Sequence, residues 1–286
     1  MITRPFVKIN LGLNVLRKRT DGFHDIETLF VPYHDITDVL EIIKADDYSA
    51  TIGHLESSYS VAEGQLVQAI SEDAKVMITI ARSEGVGWDP LNDLTVKAYR
   101  LLDKDYGLSP VKIFLEKLSP VGAGLGGGSS DATFALIMLN AIFALGLSVR
   151  QIAQYASYLG SDCAFFAYDT PMFGEGRGEL LSLFDLPESF DDEYDIKVVV
   201  PEDVSVSTAD AYGGIIPSVP KNSLKDVLKL PVGQWKDTLF NDFETTVFGK
   251  YPGLKNIKQS LYDAGAVYAS MSGSGSAFFA IFRKSI

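Results

Sequence analysis

A chain of 286 residues, 47% hydrophobic and 22% charged, has the make-up of a globular protein with one large domain or two ordinary ones. Its formal charge of −12 argues against sequence-independent binding to nucleic acid, which needs a basic footprint. A single cysteine, Cys163, excludes an internal disulfide framework and suits a reducing compartment.

The chain does not open on a basic-then-apolar leader, and its longest mostly apolar stretch, 132–147, is interrupted by Asn140 and too short to span a bilayer comfortably. A cytoplasmic protein with no membrane partner is expected. Charge is unevenly spread. Arg4, Lys8, Arg17, Lys18 and Arg19 crowd the first 19 residues without an acid, a zone able to focus a small anionic ligand. The acidic run DLPESFDDEYD at 185–195 reads as a solvated loop.

FVKINLGLNV, residues 6–15, alternates with a period of two. Val7, Ile9, Leu11, Leu13 and Val15 share one face and Lys8, Asn10, Gly12 and Asn14 the other, which predicts a half-buried strand. Asp21-Gly22 is a turn signal and DIETLFVPY a returning strand. Residues 39–43 and 76–81 read as further strands. DLTVKAYRLLDKDY, 93–106, reads as a helix stopped by Gly107. Residues 111–115 predict a strand, and Ser129 or Ser130 is placed to N-cap a helix running through Leu145 to Gly146. A short helix fits 148–159, so Asp162 lies just past a helix end. Beyond Pro171 come strand-like runs such as IKVVV and IIPSVPKN. Leu254, Ile257 and Leu261 then mark an amphipathic helix ending near Gly265, and MSGSGSAFFAIF a glycine-serine turn entering an apolar strand. Without a regular βαβ rhythm, the mixture predicts an α+β fold rather than a doubly wound parallel sheet.

Five glycines occupy the seven positions 122–128 of SPVGAGLGGGSSD. Glycine is costly to order, so such a cluster marks a place where something approaches the main chain closely. GAGLGG fits G-x-G-x-x-G, but a dinucleotide fold wants an acid about 20 positions on, and NAIFALGL at 140–147 has none. No Lys-Ser/Thr follows the last glycine, against a Walker loop. The protein-kinase H-R-D and D-F-G signatures are absent as well. What remains is strand, glycines, two serines and helix. Converging N–H groups and a helix N-terminus, worth about half a positive charge, would cradle a phosphate there.

PVGAGLGGGSSDA resembles the central motif of the GHMP small-molecule kinase superfamily. KINLGLNVLRKRTDGFHDIETLF is similar to the N-terminal signature of its 4-diphosphocytidyl-2-C-methyl-D-erythritol kinase family. MSGSGSAFFAIF resembles the third motif, and LGSDCAFF, GEGRGE and VSVSTADAY follow in the family's order. The resemblance implies a two-lobed fold. A ribosomal-protein-S5-like N-terminal lobe over 1–165 would bind ATP, and a ferredoxin-like C-terminal lobe over 166–286 would serve the substrate. It implies transfer of a phosphoryl group from ATP to a hydroxyl of the cytidyl methylerythritol substrate, for isoprenoid precursor synthesis. The alternative left open is another superfamily kinase acting on a sugar, homoserine or mevalonate.

By the same resemblance Asp162 is the general base, and Lys8 lies near the acceptor hydroxyl and the γ-phosphate. Asn10 touches the substrate's polar groups, while Phe23 and His24 form the cytidine site, by stacking and hydrogen bonding. Phe23 stands where the family commonly has tyrosine, so a phenol contact would be lost. The nucleotide would meet Lys117, Pro120, Gly122, Gly124, Leu125, Gly126, Gly127, Gly128, Ser129 and Ser130. No adenine contact is carried onto Asp93. Magnesium is expected with the ATP, held largely by phosphates and water. Three scattered histidines and Cys163 offer no zinc site, Cys163 reads as a small buried hydrophobe, and a monomer or weak homodimer is expected.

Overall fold

The computed structural model describes residues 1–45, 64–202 and 204–284. His54, one of the three histidines, lies outside the described residues. The chain forms two compact units. One holds Met1–Val7, Tyr33–Ser119 and Gly127–Asp169; the other holds Lys8–Pro32, Pro120–Gly126 and Thr170–Ile286.

The first unit is built on a sheet ordered β1 (Ile2–Thr3), β4 (Val39–Lys44), β7 (Val111–Glu116), β6 (Val76–Ala81) and β5 (Leu66–Ile70). Only β6 and β7 run parallel. A parallel pair needs a crossover, and the connection carries helix α1 (Leu94–Tyr106). The Asp93 carboxylate caps that helix by accepting from the Thr95 N–H and hydroxyl, and Gly107 ends it in the left-handed region at φ 62°. Ile42, Ile78, Ile80, Ile113 and Leu115 of the sheet bury against Val96, Tyr99 and Leu102 of α1. The same core takes in Ala132, Leu136 and Leu139 of α2 (Gly127–Ile142). Helix α3 (Val149–Ser157) opens with a reciprocal capping box between Ser148 and Gln151.

Two boundaries depart from the sequence reading. Helix α2 begins at Gly127, so Ser129 and Ser130 lie within its first turn instead of capping it. It ends at Ile142, before Leu145, because Ala144 turns left-handed at φ 51° and the Asn140 side chain exchanges hydrogen bonds with the Leu147 main chain.

The second unit carries two sheets. In one, β2 (Phe6–Lys18) lies beside β3 (His24–Thr37), followed by β8 (Met172–Glu175) and β9 (Leu180–Leu183). The start of β2 and the end of β3 belong to the first unit. The Asp21-Gly22 turn joins these strands as expected: the Arg19 N–H donates to the Phe23 carbonyl, and Gly22 sits at φ 87°. The other sheet is antiparallel, ordered β10 (Tyr194–Val199), β12 (Phe278–Arg283) and β11 (Tyr268–Met271). Leu13, Val15 and Ile26 pack with Phe243 and Val247 of α5 (Phe243–Lys250), Leu254 of α6 (Pro252–Asp263), and Met271 and Phe278. The expected strand at IIPSVPKN is absent; the chain there is irregular after the short helix α4 (Thr208–Tyr212), and Pro217 and Pro220 each remove a ladder donor.

Residues 120–126 pass through this unit between β2 and the 272–277 turn. The Lys8 N–H donates to the Leu125 carbonyl at 2.9 Å, and the Ala277 N–H to the Ala123 carbonyl at 3.0 Å. Gly124 and Gly275 meet backbone to backbone. A Cβ on Gly124 would fall 2.1 Å from the Ser272 carbonyl oxygen, and one on Gly275 2.0 Å from the Ala123 carbonyl carbon. Both glycines are packing requirements, whatever the loop binds. Gly275→Ala is therefore expected to destabilise the protein by about 3 kcal/mol or more, since the clash is with main chain on both sides. Thermal unfolding measures it, and an unchanged midpoint would contradict the packing.

Candidate active site

Lys8 and Asn10 stand two residues apart on β2 and so project from one side of the strand. The polar face read from the alternation is not solvated: both side chains are buried, each residue 2% exposed. The Lys8 ammonium donates to Asn10 Oδ1 at 2.5 Å and to the Gly124 carbonyl at 2.7 Å, and lies 5.7 Å from the centre of the Phe30 ring. Asn10 Nδ2 donates to Thr28 Oγ1 at 3.1 Å. Lys8 thus clamps the glycine loop from beneath.

Phe23 and His24 follow the hairpin turn. The Phe23 ring is half exposed, and the Arg177 guanidinium lies 4.9 Å from its centre, within cation–π range. The His24 ring stacks on Tyr212 at the end of α4, centroids 4.7 Å apart and planes 26° from parallel. Burial, with the nearby Lys18 charge, lowers the His24 pKa, so the imidazole is neutral at pH 7 and offers one donor and one acceptor. Sequence reasoning gave no role to Tyr212 or Arg177. Their signals were present, because VSVSTADAY ends on Tyr212 and GEGRGE contains Arg177, but neither stretch says what its aromatic or guanidinium group faces.

The glycines of the loop do different things. Gly122, Gly124 and Gly126 all hold positive φ, 76°, 84° and 74°. Gly127, the first residue of α2, is pressed on by the Ser119 hydroxyl and the Lys117 ammonium, 2.3 and 2.9 Å from where its Cβ would be. Gly122 and Gly128 are exposed and have no neighbour closer than 3.8 Å to that position. Pro120 precedes the loop, Leu125 is buried within it, and Ser129 lies in the first turn of α2. Ser130 Oγ is buried there without a hydrogen-bond partner among the described residues.

Lys117, expected near the nucleotide, has a side chain 4% exposed and held by two carboxylates, Asp38 and Asp131. Asp38 also accepts from the Leu118 and Ser119 N–H groups at 2.7 and 2.6 Å and from the Ser119 hydroxyl at 2.7 Å. Burial pushes the Asp38 carboxyl up, but the Lys117 charge and these donors outweigh it and hold it below the usual range. Burial raises Asp131 well above that range, against the pull of Lys117 and with the push of Asp38; its Oδ1 has no hydrogen-bond partner among the described residues. The charged partner of Lys117 is thus Asp38 before Asp131, whose carboxyl is the harder of the two to ionise. The cluster ties the chain just after β7 to the N-terminal part of α2.

Asp162 sits between α3 and a 3-10 turn, Cys163–Ala167, and is partly exposed. That turn is fastened to α2, since Thr133 Oγ1 donates to the Cys163 carbonyl at 2.7 Å. Cys163 is buried, and burial pushes its thiol up to about 12, which makes it an inert packing residue as read from the sequence. The Asp93 carboxylate, besides capping α1, accepts from Trp88 Nε1 at 3.1 Å. Among the described residues there is no metal-binding group of three histidines, cysteines or acids, and no helix long and apolar enough to cross a membrane.

The family model described as GHMP kinases N terminal domain matches residues 93–170, and GHMP kinases C terminal matches 223–285. A 4-diphosphocytidyl-2-C-methyl-D-erythritol kinase of Bacteroides fragilis is 43% identical over 283 residues, covering 99% of this chain and 92% of its own. One from Azobacteroides pseudotrichonymphae is 41% identical over 286 residues, covering 99% and 94%. A solved structure of a 4-(cytidine 5'-diphospho)-2C-methyl-D-erythritol kinase matches with a TM-score of 0.73 at 28% identity, over 98% of this chain and 89% of that one.

The raised pKa of the buried Asp131 has a consequence for stability. Its folded pKa lies above the unfolded value, so the stability it allows is complete below the unfolded pKa and falls as pH rises toward the folded one. Asp131→Asn, isosteric and uncharged, should unfold at a higher temperature than the wild type at pH 8. That advantage should shrink to nothing near pH 3.5. Melting curves across that range decide it, and a less stable Asp131→Asn at pH 8 would mean that an ionised Asp131–Lys117 pair is net favourable.

Proposed function

We propose a substrate and a mechanism for this chain, which belongs to the GHMP kinase superfamily and, within it, to the 4-diphosphocytidyl-2-C-methyl-D-erythritol kinase family. It is an ATP-dependent small-molecule kinase. The substrate in this reading is the cytidyl methylerythritol that names its relatives. The observations that carry it are the half-exposed Phe23 ring and the neutral His24 imidazole, consecutive residues at the hairpin turn. A flat apolar face with an adjacent donor and acceptor suits a pyrimidine, which stacks on the ring and hydrogen-bonds along its edge. A small polyol or amino acid alone would leave that face unused.

The nucleotide phosphates belong, in this reading, at the start of α2. Gly128 is exposed in the first helical turn, so an anion can reach its main chain and the positive end of the helix dipole. Gly122 leaves the same freedom at the start of the loop, and Ser129 and Ser130 add hydroxyls. Lys117 enters through the loop it holds: with Asp38 and Asp131 it fixes where α2 begins. Magnesium travels with the nucleotide and neutralises charge on its phosphates.

Phosphoryl transfer asks mainly for positioning and charge stabilisation. Asp162 accepts the proton of the acceptor hydroxyl. The oxygen so released forms its bond to the γ-phosphorus, and the bond to the bridging oxygen of ADP breaks. Lys8 offsets negative charge on the transferring group, and Asn10 holds the ammonium and the substrate's polar groups. Residues 1–165 serve the nucleotide and also carry Asn10, Phe23 and His24 of the substrate site, which 166–286 complete, in a cytoplasmic monomer or weak homodimer that contributes to isoprenoid precursor synthesis.

ADP release on a panel of acceptors tests the substrate. Turnover on the cytidyl compound, with none on mevalonate, homoserine or sugars, is expected, and the reverse would overturn the assignment. Asp162→Asn should lose at least about a hundredfold in kcat while binding both substrates normally; undiminished turnover would remove Asp162 from its role. Gly128→Ala should fold normally, because its Cβ meets nothing closer than 3.9 Å, yet raise the KM for ATP several-fold. An unaltered KM would move the phosphates elsewhere.

A further inference from the structure

Thr28 is a fully buried polar residue of β3, inside the N-terminal signature but given no role by the resemblance. Its hydroxyl donates to the Gly12 carbonyl at 2.6 Å and accepts from Asn10 Nδ2 at 3.1 Å. Gly12 holds φ 73° in the middle of β2, and its Cβ position is filled by Leu224 and Leu239 methyls, each at 2.6 Å. The residue is therefore locked as glycine, and its carbonyl goes to a side chain.

The direction of each bond along this line is fixed by its two ends. A carbonyl oxygen only accepts, so the single Thr28 proton must go to Gly12. That leaves Thr28 with a lone pair, which calls for the NH2 side of the Asn10 amide. An ammonium only donates, so at the other end Lys8 calls for the carbonyl side of the same amide. Both demands agree. With the amide reversed, its NH2 would face the ammonium and its oxygen the Thr28 lone pair, repulsive at both ends.

We propose that Thr28 is a positioning residue for phosphoryl transfer: by directing its one proton to Gly12 it sets the orientation of the Asn10 amide, which in turn holds the Lys8 ammonium against the Gly124 carbonyl. The inference rests on the reading that Lys8 takes part in transfer. The line runs Gly12, Thr28, Asn10, Lys8, Gly124, and it is closed by the Ser272 hydroxyl, which also donates to the Gly124 oxygen at 3.1 Å. One end is a locked turn in a strand, the other the loop that carries the nucleotide phosphates in the proposed reaction. Thr28 touches no reacting atom and acts only through Asn10.

The test is a kinetic double-mutant cycle with the cytidyl substrate and ATP. Thr28→Val keeps the shape but loses the hydroxyl, and should lower kcat about tenfold with both KM values within about twofold of wild type. Thr28→Ser, which restores the hydroxyl, should recover most of that loss. In an Asn10→Ala background the same Thr28→Val change should cost less than about twofold, because the path it acts through is gone. An equal loss in both backgrounds would show a merely structural role and overturn the inference, as would undiminished kcat in Thr28→Val or no recovery in Thr28→Ser. Thermal melts confirm that each variant is folded, and Thr28→Ala is read by the same criteria if the valine variant is not. Lys8→Met is measured beside them. If it turns over normally, the reading of Lys8 fails and takes the inference with it; if it is inactive while Thr28→Val is unimpaired, the inference alone fails.

Discussion

The carbonyl oxygen of Gly124 receives two side-chain donors, the Lys8 ammonium and the Ser272 hydroxyl, while its Cα lies against the backbone of Gly275. The arrangement is possible only without side chains at both glycines, and it brings three distant parts of the chain to one point: the first long strand, the glycine loop and the C-terminal glycine-serine turn. A buried ammonium is tolerable when its hydrogen bonds are made, and here an amide oxygen and a main-chain carbonyl supply two of them. The loop's first half is therefore held from below by a charge-assisted bond and from the side by main-chain packing.

The second half of the loop is held by different chemistry. Gly127 opens α2 with the Ser119 hydroxyl and Lys117 ammonium against it, and Lys117 is gripped by Asp38 and Asp131. Breaking the buried Asp38–Lys117 pair would leave an uncompensated charge, so these two stand or fall together. On either side of these two anchors Gly122 and Gly128 are exposed. The glycine cluster thus includes residues that pack, Gly124 and Gly127, and residues that leave the main chain accessible, Gly122 and Gly128.

Much of the fold was legible locally. The period of two in residues 6–15, the Asp21-Gly22 turn, the helix stopped by Gly107 and the short helix fitted to 148–159 are short-range signals, and each is found within a residue or two of where the residues put it. Contacts over long sequence separation were not legible. Nothing near Lys117 points to Asp38, 79 positions away, and a lysine before a phosphate-type loop reads as a ligand residue until its partners are seen. The same holds for Lys8 and Asn10: alternation assigned them a polar face, but the cover over that face comes from residues 120–126. Tyr212 was invisible as a neighbour of His24 because 188 residues of sequence carry no trace of a stacking contact. The family that the motifs suggested is the one the comparisons show, and several of the motif residues are engaged in packing and buried hydrogen bonds.

A crystal structure with a non-hydrolysable ATP analogue and the cytidyl substrate bound tests the account most directly. The account predicts phosphates against the main chain at Gly122 and Gly128, cytosine on the Phe23 ring, the acceptor hydroxyl within hydrogen-bond distance of Asp162, and Lys117 still held by Asp38 and Asp131. A nucleotide bound away from the start of α2, or a Lys117 that leaves its carboxylates to reach it, would contradict it.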